Sequence, residues 1–241
     1  MVIESWKVVD TGLDSPQAIM EKDRIFLEKM GLEKSPILHF YEWNTSSITY
    51  GYFLDPKKFF SFEGLEKEGI SIARRPTGGG IIFHLWDFAF SALIPASHVA
   101  FSQNTLENYA YINSAVLLAA QEFLKEKTGF ELTPQDGALL GKGCEYFCMA
   151  KPTKYDVMLH GKKIAGAAQR KTREGLLHQG SLSLLMPSQK ILDTVLLPGF
   201  SVSEAMSTFT FPLLGEEESP LRLKKAREQI KELLKKHLTN N

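Results

Sequence analysis

Arg74-Arg75-Pro76-Thr77-Gly78-Gly79-Gly80-Ile81-Ile82-Phe83-His84 is the stretch on which the reading of this chain turns. Three consecutive glycines between two strand-like runs admit positive φ and bring backbone N–H groups close to a ligand. Two arginines just ahead offer planar, bidentate donors suited to phosphate or carboxylate. The combination reads as an anion cradle, against the plainer alternative of a tight β-turn with two solvated arginines. It is not a P-loop, since no Gly-Lys-Ser/Thr follows, and it is not the dinucleotide fingerprint.

Working outward, residues 70–73 lead in as a short strand, and 88–94, closed by Pro95, lead away as another. Upstream, Asp14-Ser15-Pro16 starts a helix that Gly31 stops, with Ala18, Ile25, Phe26 and Met30 sharing a face. Strands over 37–43 and 48–53 flank the turn Asn44-Thr45-Ser46, and a short charged helix runs from Pro56 to Gly69. Downstream, the longest helix covers 105–127, its stripe formed by Leu106, Tyr109, Val116, Leu117, Ala120, Phe123 and Leu124. Residues 133–153 lack periodicity and read as an ordered loop. Residues 155–159 and 162–169 form a hairpin over His160-Gly161, and 182–185 a further strand. An acidic loop at 215–219 precedes a final helix from Ser219-Pro220, with Leu223, Ala226, Ile230, Leu233 and Leu234 on one face. Interleaved short strands and helices, several of them hairpin-like, favour a mixed-sheet α/β or α+β fold over a doubly wound one.

Composition narrows the function. In 241 residues, 28 Lys+Arg balance 28 Asp+Glu, which excludes a basic nucleic-acid footprint. No apolar run approaches a membrane span, and the start lacks the basic and apolar regions of a signal peptide. A cytoplasmic protein with neither nucleic-acid nor membrane partners is expected. Cys144 and Cys148 are too few for a disulfide scaffold. No matching Cys/His pair follows them, so no metal site is expected.

A second segment, Lys162-Lys163-Ile164-Ala165-Gly166-Ala167-Ala168-Gln169, places a lysine before four small residues on a strand, where another molecule can lie flat against the backbone. With Ile164 inward, alternation sends Lys163 to the opposite face, where its ammonium can meet a carboxylate or acyl phosphate. An ordinary exposed hairpin lysine is the plainer alternative. His178-Gln179-Gly180-Ser181 can line the same face.

Together these segments resemble the biotin/lipoate protein ligase superfamily, specifically its lipoate-protein ligase branch. Arg74 to His84 is similar to the branch's Arg-Arg-x-Ser-Gly-Gly-Gly-Ala-Val-Phe-His. Asp156 to Ala168 is similar to its Asp…Gly-x-Lys-x-Ser-Gly-Ser-Ala, and Leu177 to Leu182 to its His-His-Gly-Thr-Leu. The resemblance implies a mixed-sheet α/β catalytic domain, related to class II aminoacyl-tRNA synthetases. It would occupy 1–241 without a separate accessory domain. It implies a ligase that activates lipoate with ATP and Mg²⁺ to lipoyl-AMP. Acceptors would be a lysine on apo lipoyl domains of 2-oxoacid dehydrogenase E2 subunits or on glycine-cleavage H protein. Arg74, Arg75, Gly78, Gly79, Gly80, Ile81, Ile82, Phe83 and His84 would hold the acyl-adenylate. Lys163 would sit at acyl carboxylate and α-phosphate, and Gly166, Ala167 and His178 would line the acyl pocket.

Two departures open a rival. His84 leads into Leu85-Trp86-Asp87 where the ligases continue His-Asp-Leu-Gly-Asn. In addition, Cys148-Met149-Ala150-Lys151-Pro152-Thr153-Lys154-Tyr155-Asp156-Val157 resembles the cysteine loop of cysteine-dependent octanoyltransferases. There the cysteine takes octanoate from acyl carrier protein as a thioester and passes it to the acceptor lysine without ATP. Cys148 would be the nucleophile, activated by a nearby cation such as Lys163. Otherwise Cys148 is a small buried hydrophobe. A ligase is the expected reading, an octanoyltransferase the alternative, and a non-catalytic lipoate-binding protein the third.

Overall fold

The computed structural model describes residues 5–138, 141, 143–215 and 219–239. Its frame follows from period-two alternation in two central strands, β6 (Asp87–Pro95) and β10 (Gly175–Ser183), buried along their whole length. Phe88, Phe90, Ala92 and Ile94 join one core cluster, while Ala89 and Leu93 join clusters built with the N-terminal helix. Such strands alternate between two covered faces, so they read as continuous apolar runs. Around them lie β1 (Lys7–Asp14), β2 (Ile37–Trp43), β7 (Phe130–Leu132), β8 (Val157–Leu159) and β9 (Lys162–Lys171). The seven pair in the order β1-β2-β6-β10-β9-β8-β7, with β1 parallel to β2 and every other pair antiparallel. A second sheet, β4-β3-β5, holds β3 (Ser47–Tyr50) between β4 (Ser71–Arg74) and β5 (Ile81–His84). The mixed-sheet α/β class expected from the sequence is what the molecule shows.

Helices cover the large sheet on both faces. α3 (Thr105–Leu124) and α6 (Pro220–Thr239) seal one face through Ile112, Val116, Ile230 and Leu234. α1 (Pro16–Lys29) seals the other, started by Pro16 and a Ser15 hydroxyl that accepts from Ala18 N–H. Its buried face is Ile19, Met20, Asp23 and Leu27, with Met30 just beyond; Ala18, Ile25 and Phe26 are only half-buried, so the expected stripe is displaced. The stripe of α3 also shifts: Ile112, Ala115 and Ala119 join Val116 and Ala120 inside, while Leu106 is 39% exposed.

Other expectations are corrected by register. The segments 37–43 and 48–53 do not pair with each other; β2 belongs to the large sheet and β3 to the small one. The helix over 56–69 breaks into a 3₁₀ turn at Pro56–Lys58 and α2 (Phe62–Lys67), recapped by the Ser61 hydroxyl. β1 went unread because it is an edge strand with a mostly exposed, weakly alternating pattern and a left-handed Gly12 at its bulge. α4 (Gln189–Val195) and α5 (Val202–Phe209) went unread too, being under three turns each. The acidic loop expected at 215–219 falls largely on 216–218, outside the described residues.

Phe90 packs closely against the neighbouring central strand. It is fully buried, and a Cβ on Gly180 of the adjacent strand would lie 2.4 Å from its Cε1. Gly180→Ala is therefore expected to destabilise the protein by about 1–3 kcal/mol through overpacking. Phe90→Leu should restore part of that loss in the double variant. Urea unfolding of the four proteins measures both, and strictly additive effects would refute the contact.

Candidate active site

β5 and the loop after β7 meet at the glycine turn, and apolar packing decides how. Phe147 is 1% exposed and stacks on Phe83 at 6.0 Å, and Met149 is also buried. Between these two anchors Cys148 stays partly exposed at the wall of a cavity of about 550 Å³. A Cβ on Gly80 would stand 3.2 Å from Cys148 Sγ and 2.2 Å from the Tyr146 carbonyl oxygen. Glycine is required there because a backbone and a sulfur lie against the turn. A Cβ on Gly79, at φ 83°, would stand 3.4 Å from Arg75 Nη2 and 4.0 Å from the same sulfur.

Arg75 faces inward, 3% exposed. Its Nη1 donates to Thr49 O at 3.1 Å and Thr49 Oγ1 at 2.9 Å. Its Nη2 donates to Gly78 O at 3.2 Å and Gly80 O at 2.8 Å, and Nε to Thr77 Oγ1 at 3.3 Å. Five donors thus meet neutral oxygens, and no carboxylate pairs with the guanidinium among the described residues. Burial pulls Arg75 below the usual arginine range, opposed first by its attraction to Cys148. Arg75, and not Lys163, is the cation at the sulfur.

Lys163, on β9, is 2% exposed and turned onto the loop that carries Cys148. Its Nζ pairs with Asp156 Oδ2 at 2.6 Å and donates to the carbonyl oxygens of Cys148 at 2.7 Å and Lys151 at 3.4 Å. Thr153 N–H and its hydroxyl donate to the same carboxylate oxygen at 2.6 and 2.8 Å. Burial pushes the Asp156 carboxyl up, against the pull of Lys163 and Thr153. A Cβ on Gly166 would lie 2.6 Å from Lys163 Nζ, so this glycine makes room for the lysine instead of for a bound molecule.

The other expected positions separate. Gly78, Gly79, Gly80, Ala167 and Lys163 line the cavity with Cys148. Ile81, Ile82, Phe83 and His84 are buried in the small sheet and do not line it. His84 holds that sheet: Nδ1 meets Asp87 Oδ2 at 2.6 Å, Nε2 meets Thr49 Oγ1 at 2.7 Å, and Trp43 stacks on the ring at 4.4 Å. Arg74 is exposed, over the rings of Tyr50 and Tyr52 at 5.8 and 6.0 Å. His178 lies behind the wall, its Nδ1 against Gln169 Nε2 at 2.9 Å and its Nε2 without a partner among the described residues. Tyr109, read only as part of a helix stripe, lines the cavity, and Thr77, Gln179 and Asp23 connect to Arg75 from behind. A threonine before a glycine run and an aspartate inside an apolar stripe were the available signals.

A mixed-sheet frame thus brings a thiol and a buried lysine to one cavity, with a buried guanidinium behind its glycine wall. The lipoyl protein ligase A/B catalytic domain model matches residues 15–201, and the chain belongs to that family of lipoate ligases and transferases. Octanoyltransferase LipM of Bacillus subtilis (strain 168) is 29% identical over 205 residues, 84% of this chain and 74% of that protein. Octanoyltransferase LipM of Halalkalibacterium halodurans is 26% identical over 244 residues, 98% of this chain and 88% of that protein. The solved structure of lipoate-protein ligase A bound with ATP shares the fold, with a TM-score of 0.70 at 20% identity over 96% of this chain and 86% of that one. The octanoyltransferase relatives overturn the expected ATP-dependent ligase. A physical reason accompanies them: the donors of Arg75 close the turn around Cys148 and leave none open for a nucleotide.

No group of three or more His, Cys, Asp or Glu among the described residues could hold a metal ion, and no helix among them is long and apolar enough to cross a membrane.

Burial lowers His178 from 6.5 to about 3. The unfolded imidazole takes up its proton near the ordinary value while the folded one stays neutral, so stability falls as pH drops below 6.5. Between pH 6.5 and 5 this residue should remove about 2 kcal/mol. Urea unfolding of wild type and His178→Phe at pH 7 and pH 5 tests it. The wild type should lose more than the variant, and equal losses would contradict the assignment.

Proposed function

We propose that the protein is an octanoyltransferase that carries the acyl group on Cys148 as a thioester. The observation that carries this reading is the sulfur's position against a buried guanidinium that has no carboxylate partner among the described residues. A desolvated cation without a counter-charge favours thiolate over thiol, and the thiolate is the nucleophile. The names of the curated relatives support the same chemistry.

The thiolate attacks the carbonyl carbon of an octanoyl thioester on acyl carrier protein, and the carrier's sulfur leaves with the electron pair and takes up a proton. The ε-amine of the acceptor lysine then attacks the Cys148 thioester. An amide forms, the C–S bond breaks, and the amine proton leaves the product. Both donors are already thioesters, so neither step needs ATP or Mg²⁺. Lys163 fixes the nucleophile through the Cys148 carbonyl and brings positive charge to the wall where the oxyanion develops. Ala167, Tyr109 and Leu106 offer apolar wall to the chain. The acceptor is a lysine on an apo lipoyl domain or on glycine-cleavage H protein.

Incubation with octanoyl-acyl carrier protein and no ATP should give a mass gain of one octanoyl group on an apo lipoyl domain. Without acceptor, the same mass should appear on Cys148, and Cys148→Ala should abolish both. A lipoyl gain that requires lipoate and ATP and survives Cys148→Ala would overturn the proposal.

A further inference from the structure

Behind the glycine turn runs a chain of buried polar groups that lines no part of the Cys148 cavity. Thr77 Oγ1 accepts from Arg75 Nε at 3.3 Å and donates to Gln179 Oε1 at 2.7 Å. Gln179 Nε2 donates to Asp23 Oδ2 at 2.6 Å. Ser91 Oγ donates to the same oxygen at 2.5 Å, and His39 Nδ1 meets Asp23 Oδ1 at 2.7 Å. Asp23, His39, Thr77 and Ser91 are 0% exposed, and Gln179 is 5% exposed. The groups come from α1, β2, β6, β10 and the turn itself, so five separate pieces of chain converge on one line.

That line has a direction. An ionised carboxylate only accepts, so Asp23 obliges the Gln179 amide to present its NH₂ on that side and its oxygen to Thr77. The Thr77 hydrogen is thereby committed to Gln179, and a lone pair is turned to Arg75 Nε. Every hydrogen bond from Asp23 to the guanidinium is set by the first. We propose that Asp23 and Gln179, acting through Thr77, are positioning residues that hold Arg75 against the Cys148 sulfur and so set how readily that sulfur reacts. This inference rests on the thioester reading above. The chain fixes the guanidinium at Nε, leaving Nη2 on the carbonyls of Gly78 and Gly80, the edge that lies beside the sulfur. Without it, the guanidinium plane is held only through Nη1 at Thr49 and Nη2 at the two glycine carbonyls, and it gains freedom to pivot about Cδ–Nε.

Other charged and titratable groups bear on the sulfur from different directions. Tyr109 of α3 faces both Cys148 and Arg75, and Tyr41 of β2 faces Arg75. Lys163 of β9 and Asp156 form the ion pair under the Cys148 carbonyl. Asp136, Glu145, Lys151 and Lys154 stand around the cavity. Cutting the line at Thr77 or Gln179 removes none of them.

The test is the pH profile of Cys148 alkylation by iodoacetamide, read by peptide mass so that Cys144 does not contribute. Thr77→Val and Gln179→Met should raise the midpoint by about one pH unit, which slows alkylation about tenfold at a pH below both midpoints. Thr77→Ser, which keeps the hydroxyl, should retain the wild-type midpoint. A role confined to packing would lower the unfolding midpoint in urea and leave the profile where it was. Far-UV circular dichroism verifies folding; should Thr77→Val not fold, Gln179→Met decides. A midpoint that is unchanged or lowered in a folded variant overturns the relay while octanoyl transfer by wild type stands. A wild type that carries no octanoyl group on Cys148, while the variants still move the alkylation profile, overturns the transfer reading and leaves the relay standing.

Discussion

Everything at the site depends on one buried cation. Arg75 has all five N–H donors on neutral oxygens, two of them carbonyls of the glycine turn. Taking a guanidinium out of water is unfavourable by several kcal/mol unless hydrogen bonds and an opposite charge offset it. The hydrogen bonds are present, and they fold the turn around the side chain. The charge has no carboxylate partner among the described residues, which leaves the sulfur as the group able to supply one. One residue therefore both shapes the turn and sets the electrostatics at its mouth.

Two cores hold this arrangement. The large sheet with α1, α3 and α6 fixes Asp23, Ser91 and Gln179, while the small sheet with α4 and α5 fixes Phe147 and Met149 on either side of Cys148. The sulfur and its cation thus both sit on the small sheet, with Arg75 bonded to Thr49 of β3 and the Cys148 loop packed on Phe83 of β5, while the polar groups behind Arg75 belong to the large sheet. Side chains at Gly79 or Gly80 would separate them, since Cβ atoms there would stand 3.4 Å from Arg75 Nη2 and 3.2 Å from the sulfur respectively. Lys163 ties the same seam from the other side, with Asp156 as its fixed partner.

Much of this was legible in the sequence. The runs 37–43, 70–73 and 88–94 are apolar and well enough bounded to give β2, β4 and β6 nearly at their observed bounds, and the three glycines and Lys163 marked the cavity wall. What failed has a common cause in burial of polar groups. An apolar stripe drawn through α1 passes over Asp23, because a carboxylate at a core position looks like an interruption until its three partners are seen. Arginines ahead of glycines suggest an open anion site, and only the backbone shows that Arg75 turns inward while Arg74 stays outside. Lys163 looked like the cysteine's activator because sequence order cannot reveal that its ammonium is already held by Asp156 and two carbonyls.

The same glycine turn fits two chemistries, and donor accounting separates them. A site that makes an acyl-adenylate must neutralise phosphates, which calls for cations with free N–H groups facing the ligand. A site that passes an acyl group between thioester and amine has no phosphate to hold and needs a sulfur kept as thiolate. Here the inward arginine has its donors bound to the turn and to Thr49, the outward one lies on tyrosine rings, and Lys163 is committed to Asp156 and the Cys148 loop. The two buried cations thus have their N–H groups committed to the protein, while Lys151 and Lys154 stand at the cavity wall. On the proposed thioester route, the charge of Arg75 bears on the Cys148 sulfur and not on a bound phosphate.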